Sequence, residues 1–126
     1  MKKFDYNSTP IGEKYNTIFK INKKKVNEYL NLLNKFSQYD FIPNSIFANY
    51  NVWNSVLGDP VIGTIHLKQK MNYYKNPEIN DVFDVEVTIK NKYKKNEKDY
   101  LIFETKFYKN SILYCKSLTT YLWGFV

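Results

Sequence analysis

At 126 residues, with 44% hydrophobic and 18% aromatic content, the chain can bury one core but not two, and it is too apolar to be a disordered segment. Its net charge of +7 comes from lysines in short scattered runs, KKK at 23–25 and KYKK at 92–95, which read as solvated surface. That charge leaves an anionic partner open, but no groove-reading helix or RNA-binding motif accompanies it, so nucleic acid is not the expected partner.

The first element is KYNTIFKIN (14–22), where Tyr15, Thr17, Phe19 and Ile21 alternate as on a short strand. KKKVNEYLNLLNKF then changes period. Val26, Tyr29, Leu30, Leu33 and Phe36 fall at helical spacing, with Asn22 as the cap. SQYDFIPN reads as a loop, and Pro43 stops that helix from continuing. A second helix is expected over 45–57, capped by Asn44 or Ser45 and closed by Gly58 in a left-handed conformation. Ile46, Phe47, Tyr50, Trp53, Val56 and Leu57 cover so wide a face of it that it should be largely buried.

From Val61 onward the chain reads as strand. Over 62–75, Ile65, Leu67, Met71 and Tyr73 share one face, which leaves His66 with Thr64, Lys68 and Lys70 on the other. Phe83, Val85, Val87 and Ile89 alternate with Asp84, Glu86 and Thr88, a half-buried antiparallel strand. Leu101, Phe103 and Phe107 mark the next strand, and 112–124 is a long last one, with turns at KKNEKD and KNS. Early helices followed by an antiparallel meander imply a single α+β domain, 1–126. A helix as apolar as 45–57 needs a curved antiparallel sheet to wrap it.

The stretch GTIHLKQKMNYYKNPEINDVFDVEVTI (63–89) resembles the MaoC-like hydratase/dehydratase family. A His, a Gln three residues on, aromatics, a Pro and a Gly-Asp type turn before a strand correspond here to His66, Gln69, Tyr73 and Tyr74, Pro77 and Asn80-Asp81. VNEYLNLLNKF and IPNSIFANYNVWNSVLG resemble the family's first helix and its entry to the central helix, so the likeness spans nearly the whole chain. It implies a hot-dog fold, a curved antiparallel sheet around a central helix. It also implies reversible hydration of 2-enoyl thioesters carried on coenzyme A or an acyl carrier protein, with no further cofactor. Edge-to-edge pairing into a homodimer, or a heterodimer with a second hot-dog chain, is implied as well.

Active members of the family place an Asp and a His in a D-x4-N-P-x-H motif at the central helix, where the pair grips one water. YDFIPNSIFA keeps Asp40 and Asn44, but Pro43 precedes Asn44 and nothing near residue 46 is a histidine. The resemblance is therefore to a member or subunit with a degenerate dyad. The catalytic candidates are Asp40 and His66, and the substrate-binding candidates are Asn44, Ser45, Gln69 and Tyr73.

Plainer roles stand beside these. Asp40 can anchor its loop, and His66, the chain's one histidine, can be a strand residue bonded to a neighbour, since H-x-x-Q strands also occur in non-catalytic hot-dog halves. Cys115 reads as a buried inert thiol; a single His and a single Cys do not make a zinc site, and four glycines form no phosphate loop. One cysteine fits a reducing compartment. MKKFDYNSTP has no apolar run behind its lysines, and no segment reaches the roughly 18 apolar residues of a membrane span, so the cytoplasm is the expected location. Two further functions remain open, a non-enzymatic acyl-CoA sensor or scaffold and an acyl-CoA thioesterase.

Overall fold

A computed structural model describes residues 3–32, 44–58 and 60–124 of the chain. Five strands form one antiparallel sheet: β1 (Lys14–Lys20), β2 (Ile65–Tyr73), β3 (Val82–Lys95), β4 (Lys98–Lys109) and β5 (Ile112–Trp123), in the order β1-β3-β4-β5-β2. Hairpins join β3 to β4 and β4 to β5. Their two-residue turns carry positive φ at both positions, 52° and 64° at Asn96 and Glu97, and 51° and 63° at Asn110 and Ser111. Such mirror-image turns match the right-handed twist of the strands they connect.

Alternation along β3 and β4 sorts the middle of the sheet into two faces. Phe83, Val85, Val87 and Ile89 of β3 and Leu101, Phe103 and Phe107 of β4 point inward and are at most 2% exposed. Asp84, Glu86 and Thr88 point outward, as the sequence led us to expect. Against the inner face lies the segment 44–57, burying Ile46, Phe47, Val52, Trp53, Val56 and Leu57. Phe47 is its central contact, with ring centroids 5.1 Å from Phe83 and 4.9 Å from Phe107.

That segment is not the continuous α-helix expected. It is a 3-10 turn, Asn44–Asn49, and a π-helical turn, Trp53–Leu57, separated by non-helical Tyr50 and Asn51. Asparagine side chains compete with the helical ladder, and here the Asn51 Oδ1 accepts a bond from the Trp53 N–H at 3.1 Å, starting the second turn afresh. Gly58 closes it by donating to the Trp53 carbonyl at 2.8 Å. Its φ of 86° is positive as expected, but its ψ of −159° lies outside the left-handed helical region, in a conformation open to glycine alone.

Helix α1 (Lys23–Leu32) starts as read from the sequence, with the Asn22 Oδ1 accepting from the Lys25 N–H at 2.8 Å. Val26 is buried and Tyr29 packs on the core. The remainder of that expected helix, including Leu33 and Phe36, and the loop with Asp40 and Pro43 lie outside the described residues. Among the described residues, no helix is long and apolar enough to cross a membrane.

The turn before β3 is tied to both neighbouring strand ends. Asn80 takes a φ of 72°, the geometry a glycine would otherwise supply. Asp81, 6% exposed, accepts from the Glu78 N–H at 2.8 Å and pairs with the Lys109 ammonium at 2.6 Å. This hydrogen bond raises the Lys109 pKa. At the other end of the core, residues 3–13 form a strap. Phe4 meets Trp53 and Trp123 edge-on at 6.4 and 5.2 Å, and the Lys92 ammonium holds the Tyr6 and Thr9 carbonyls.

Candidate functional site

A cavity of about 410 Å³ lies between the central segment and the inner face of the β4–β5–β2 end of the sheet. Phe47, Tyr50, Asn51 and Trp53 wall it from the central segment, and Phe103, Thr105 and Phe107 from β4. Ser117, Thr119 and Tyr121 of β5 continue the wall to His66 and Gln69 on β2. The two β2 residues project to the same side although they are three apart, which a regular strand forbids. The ladder explains it: His66 stands opposite Tyr121, Lys68 opposite Thr120 and Gln69 opposite Thr119, with Leu67 bulged out of register. His66 therefore shares its face with Gln69 and Met71, and not, as unbroken alternation implied, with Lys68 and Lys70.

The floor of the cavity is polar. Thr105, Ser117 and Thr119 are 4%, 3% and 5% exposed, at positions where neighbouring core residues are aliphatic or aromatic. The Gln69 Nε2 donates to the Ser117 Oγ at 2.9 Å and approaches the Met71 sulfur at 3.2 Å; the Ser117 and Thr119 hydroxyls are 3.4 Å apart. His66 is exposed, its ring 5.1 Å from that of Tyr121.

Two further polar atoms are buried on the central segment, the Tyr50 hydroxyl and the Trp53 Nε1, each lacking a hydrogen-bond partner among the described residues. Burial pushes the Tyr50 phenol up; the nearby Ser55 and Thr17 hydroxyls oppose that shift in part without reaching full bonding geometry. Unsatisfied buried donors are rare enough to need a reason. The Tyr50 hydroxyl stands beside Ser55 and Thr17 of β1, neither of which lines the cavity.

Of the residues singled out in the sequence, His66 and Gln69 meet at the cavity. Tyr73 shares their face but stands beyond it, beside Cys115 and Tyr29, with a pKa raised first by burial and then by those neighbours. Asn44 and Ser45 open the 3-10 turn, but their side chains, like all of Asp40, lie outside the described residues. Sequence reasoning missed Thr105, Ser117 and Thr119. The signal was present, because Cys115, Ser117 and Thr119 occupy alternate positions of a strand whose inward neighbours are Phe and Leu. Cys115 is fully buried, and burial pushes its thiol to about 12, away from nucleophilic use. Among the described residues, no group of His, Cys, Asp and Glu could hold a metal ion.

No protein-family model matches the chain, and no curated protein does. Solved structures do. R-hydratase PhaJ1 from Pseudomonas aeruginosa in the unliganded form superposes with a TM-score of 0.72 at 14% identity, covering 94% of this chain and 84% of that one. The (R)-hydratase from A. caviae involved in PHA biosynthesis gives 0.70 at 15% identity, covering 93% and 98%. The C-terminally truncated HadBC (3R-hydroxyacyl-ACP dehydratase) complex from Mycobacterium tuberculosis gives 0.69 at 14% identity, covering 96% and 99%. The chain has the hot-dog fold of these R-hydratases and dehydratases, an α+β curved antiparallel sheet around a central segment.

Proposed function

We propose that this chain binds acyl thioesters, on coenzyme A or an acyl carrier protein, as the acyl-holding subunit of a 2-enoyl thioester hydratase or 3-hydroxyacyl thioester dehydratase. The observation that carries the reading is the cavity itself, where Gln69 of β2 bonds Ser117 of the polar floor and His66 stands beside Tyr121. Donors fixed in advance suit a thioester carbonyl or a 3-hydroxyl better than an aliphatic tail. Hydration of an enoyl group also needs a base to take a proton from water. His66 is the imidazole of the described lining, and in this reading a partner chain contributes the second proton-handling group. The lysine-rich surface supports the reading, since phosphate-bearing or acidic carriers are anions.

Crotonyl-CoA tests this. At a hundredfold excess over its dissociation constant it should stabilise the fold by about 2.7 kcal/mol, measured as a rise in Tm. Gln69→Leu and Ser117→Val should abolish that rise while keeping the fold. The chain alone should not hydrate crotonyl-CoA. If no acyl thioester shifts the Tm, the ligand class is wrong. Turnover by the chain alone, lost in Asp40→Asn or His66→Ala, would instead make it a complete enzyme.

A further inference from the structure

Along β4 the inward positions read Leu101, Phe103, Thr105 and Phe107, three apolar residues at most 2% exposed and one hydroxyl at 4%. Thr105 has Val87 opposite it on β3 and Ser117 opposite it on β5. Ser117 in turn bonds Gln69 of β2. Gln69, Ser117 and Thr105 thus form a polar row that crosses three strands from the rim of the cavity inward, and all three line it.

The row divides between two tasks. The Gln69 Nε2 lies 2.9 Å from the Ser117 Oγ and 3.2 Å from the Met71 sulfur. A thioether has no proton to give, so the amide presents its N–H groups to both. Ser117 accepts there, which leaves its own proton for the Thr119 hydroxyl, 3.4 Å away, or for a ligand oxygen. This bonded pair suits the thioester carbonyl or the 3-hydroxyl. Thr105 takes no part in these bonds. It stands one strand further in, roughly 5 Å beyond Ser117, between Phe103 and Phe107 on its own strand.

An oxygen held by Gln69 and Ser117 leaves Thr105 to whatever part of the acyl group lies deeper. A hydrocarbon there would displace water from a buried hydroxyl without replacing its hydrogen bond, whereas an oxygen would replace it. Charge narrows the choice again. The described lining contains no Asp, Glu, Lys or Arg, so a carboxylate at this depth would be buried without a counter-charge, and an uncharged oxygen would not.

We propose that Thr105 forms an inner subsite for a second, uncharged oxygen, so that the acyl groups this cavity takes carry an oxo or hydroxyl group beyond C3 and are not plain alkyl chains. This rests on the acyl-thioester reading above, whose ligand class it narrows.

The probes are saturated acyl-CoAs with one oxo group at C5, C6, C7 or C8, each compared by isothermal titration calorimetry with the isostere in which =O is replaced by =CH2. At one position or more the oxo compound should bind about tenfold more tightly than its isostere, the gain of one buried hydrogen bond. Thr105→Val and Thr105→Ala, which delete the hydroxyl, should each remove that preference, and Thr105→Ser, which keeps it, should retain the preference. Adipoyl-CoA, which ends in a carboxylate, should gain nothing over hexanoyl-CoA. The proposal is overturned if every oxo compound binds wild type no better than its isostere, if the preference survives loss of the hydroxyl, or if adipoyl-CoA gains more than the oxo compounds do. Crotonyl-CoA, titrated on the same samples, separates the two ideas. Binding of crotonyl-CoA without any oxo preference removes the inner subsite alone, and failure of every thioester to bind removes the ligand class and the subsite together.

Discussion

Consider a deletion inside β2. Removing one residue from a paired strand ordinarily turns every side chain beyond it to the opposite face. Removing Leu67 should not, because it is the extra residue in the ladder: His66 already faces Tyr121 and Lys68 already faces Thr120. Without Leu67 the strand reads His66, Lys68, Gln69 in regular alternation, with the histidine and the glutamine still inward. The loss is that of a side chain 48% exposed, about half of the 1.5–3 kcal/mol for full burial, hence about 1 kcal/mol. A more regular ladder offsets this by roughly the net 0.5–1.5 kcal/mol of one hydrogen bond. The deletion should therefore stay within about 1 kcal/mol of wild type. Deleting Lys70 is the control, since no bulge absorbs it. It must turn either Gln69 or Met71 outward and carry a polar neighbour toward the core, at a cost of about 2–4 kcal/mol. Urea denaturation measures both, and the nuclear Overhauser contact between the His66 and Tyr121 rings reports the site. If the two deletions prove equally destabilising, or if the contact disappears on deleting Leu67, the bulge does not position His66.

Other expectations concern the core, the turns and the buried thiol. Phe47→Ala removes a side chain 1% exposed and wedged between Phe83 and Phe107, and should cost about 3–5 kcal/mol in urea unfolding. Glu97→Gly and Ser111→Gly relieve non-glycine residues at φ of 64° and 63°; each should stabilise by about 0.5–1 kcal/mol, seen as a raised Tm. Cys115 should resist thiol reagents in the native state and react once unfolded. The folded state keeps this thiol protonated up to about 12, while the unfolded chain releases its proton from the ordinary 9.0 upward. Its contribution to stability is thus unchanged below pH 9 and falls as pH rises toward 12, a slope that Cys115→Ala should lack.

β3 was legible because its burial alternates without interruption over 83–89. Phe83 to Ile89 have a period of two, and a paired, twisted ribbon is the structure that buries one face of such a sequence. Asn22 and Gly58 were legible for a different reason, since each supplies something the backbone needs at a helix end: a side-chain acceptor in one case, freedom at positive φ in the other. The central segment shows where this stops. Ile46, Phe47, Trp53, Val56 and Leu57 satisfy a helical period, but a segment buried on most sides gains the same apolar contact from a 3-10 turn and a π turn as from one α-helix. Once burial no longer discriminates, local hydrogen bonding decides, and the Asn51 side chain takes the Trp53 N–H that a continuous ladder would have used.

The position of His66 escaped for a related reason. A period count assumes that every residue advances the ladder by one step, and a bulge breaks that assumption without leaving a mark in composition. His66 and Gln69 are at an odd spacing, so in a regular strand one of them would face the core side and the other the outer side with the lysines. The partner strand does not decide between them, since β5 carries hydroxyls on both faces, Ser117 and Thr119 on the inner one and Thr120 on the outer. Among the described residues no strand lies beyond β2, so the polar lining shared by β5 and β2 ends at the outermost strand of the sheet.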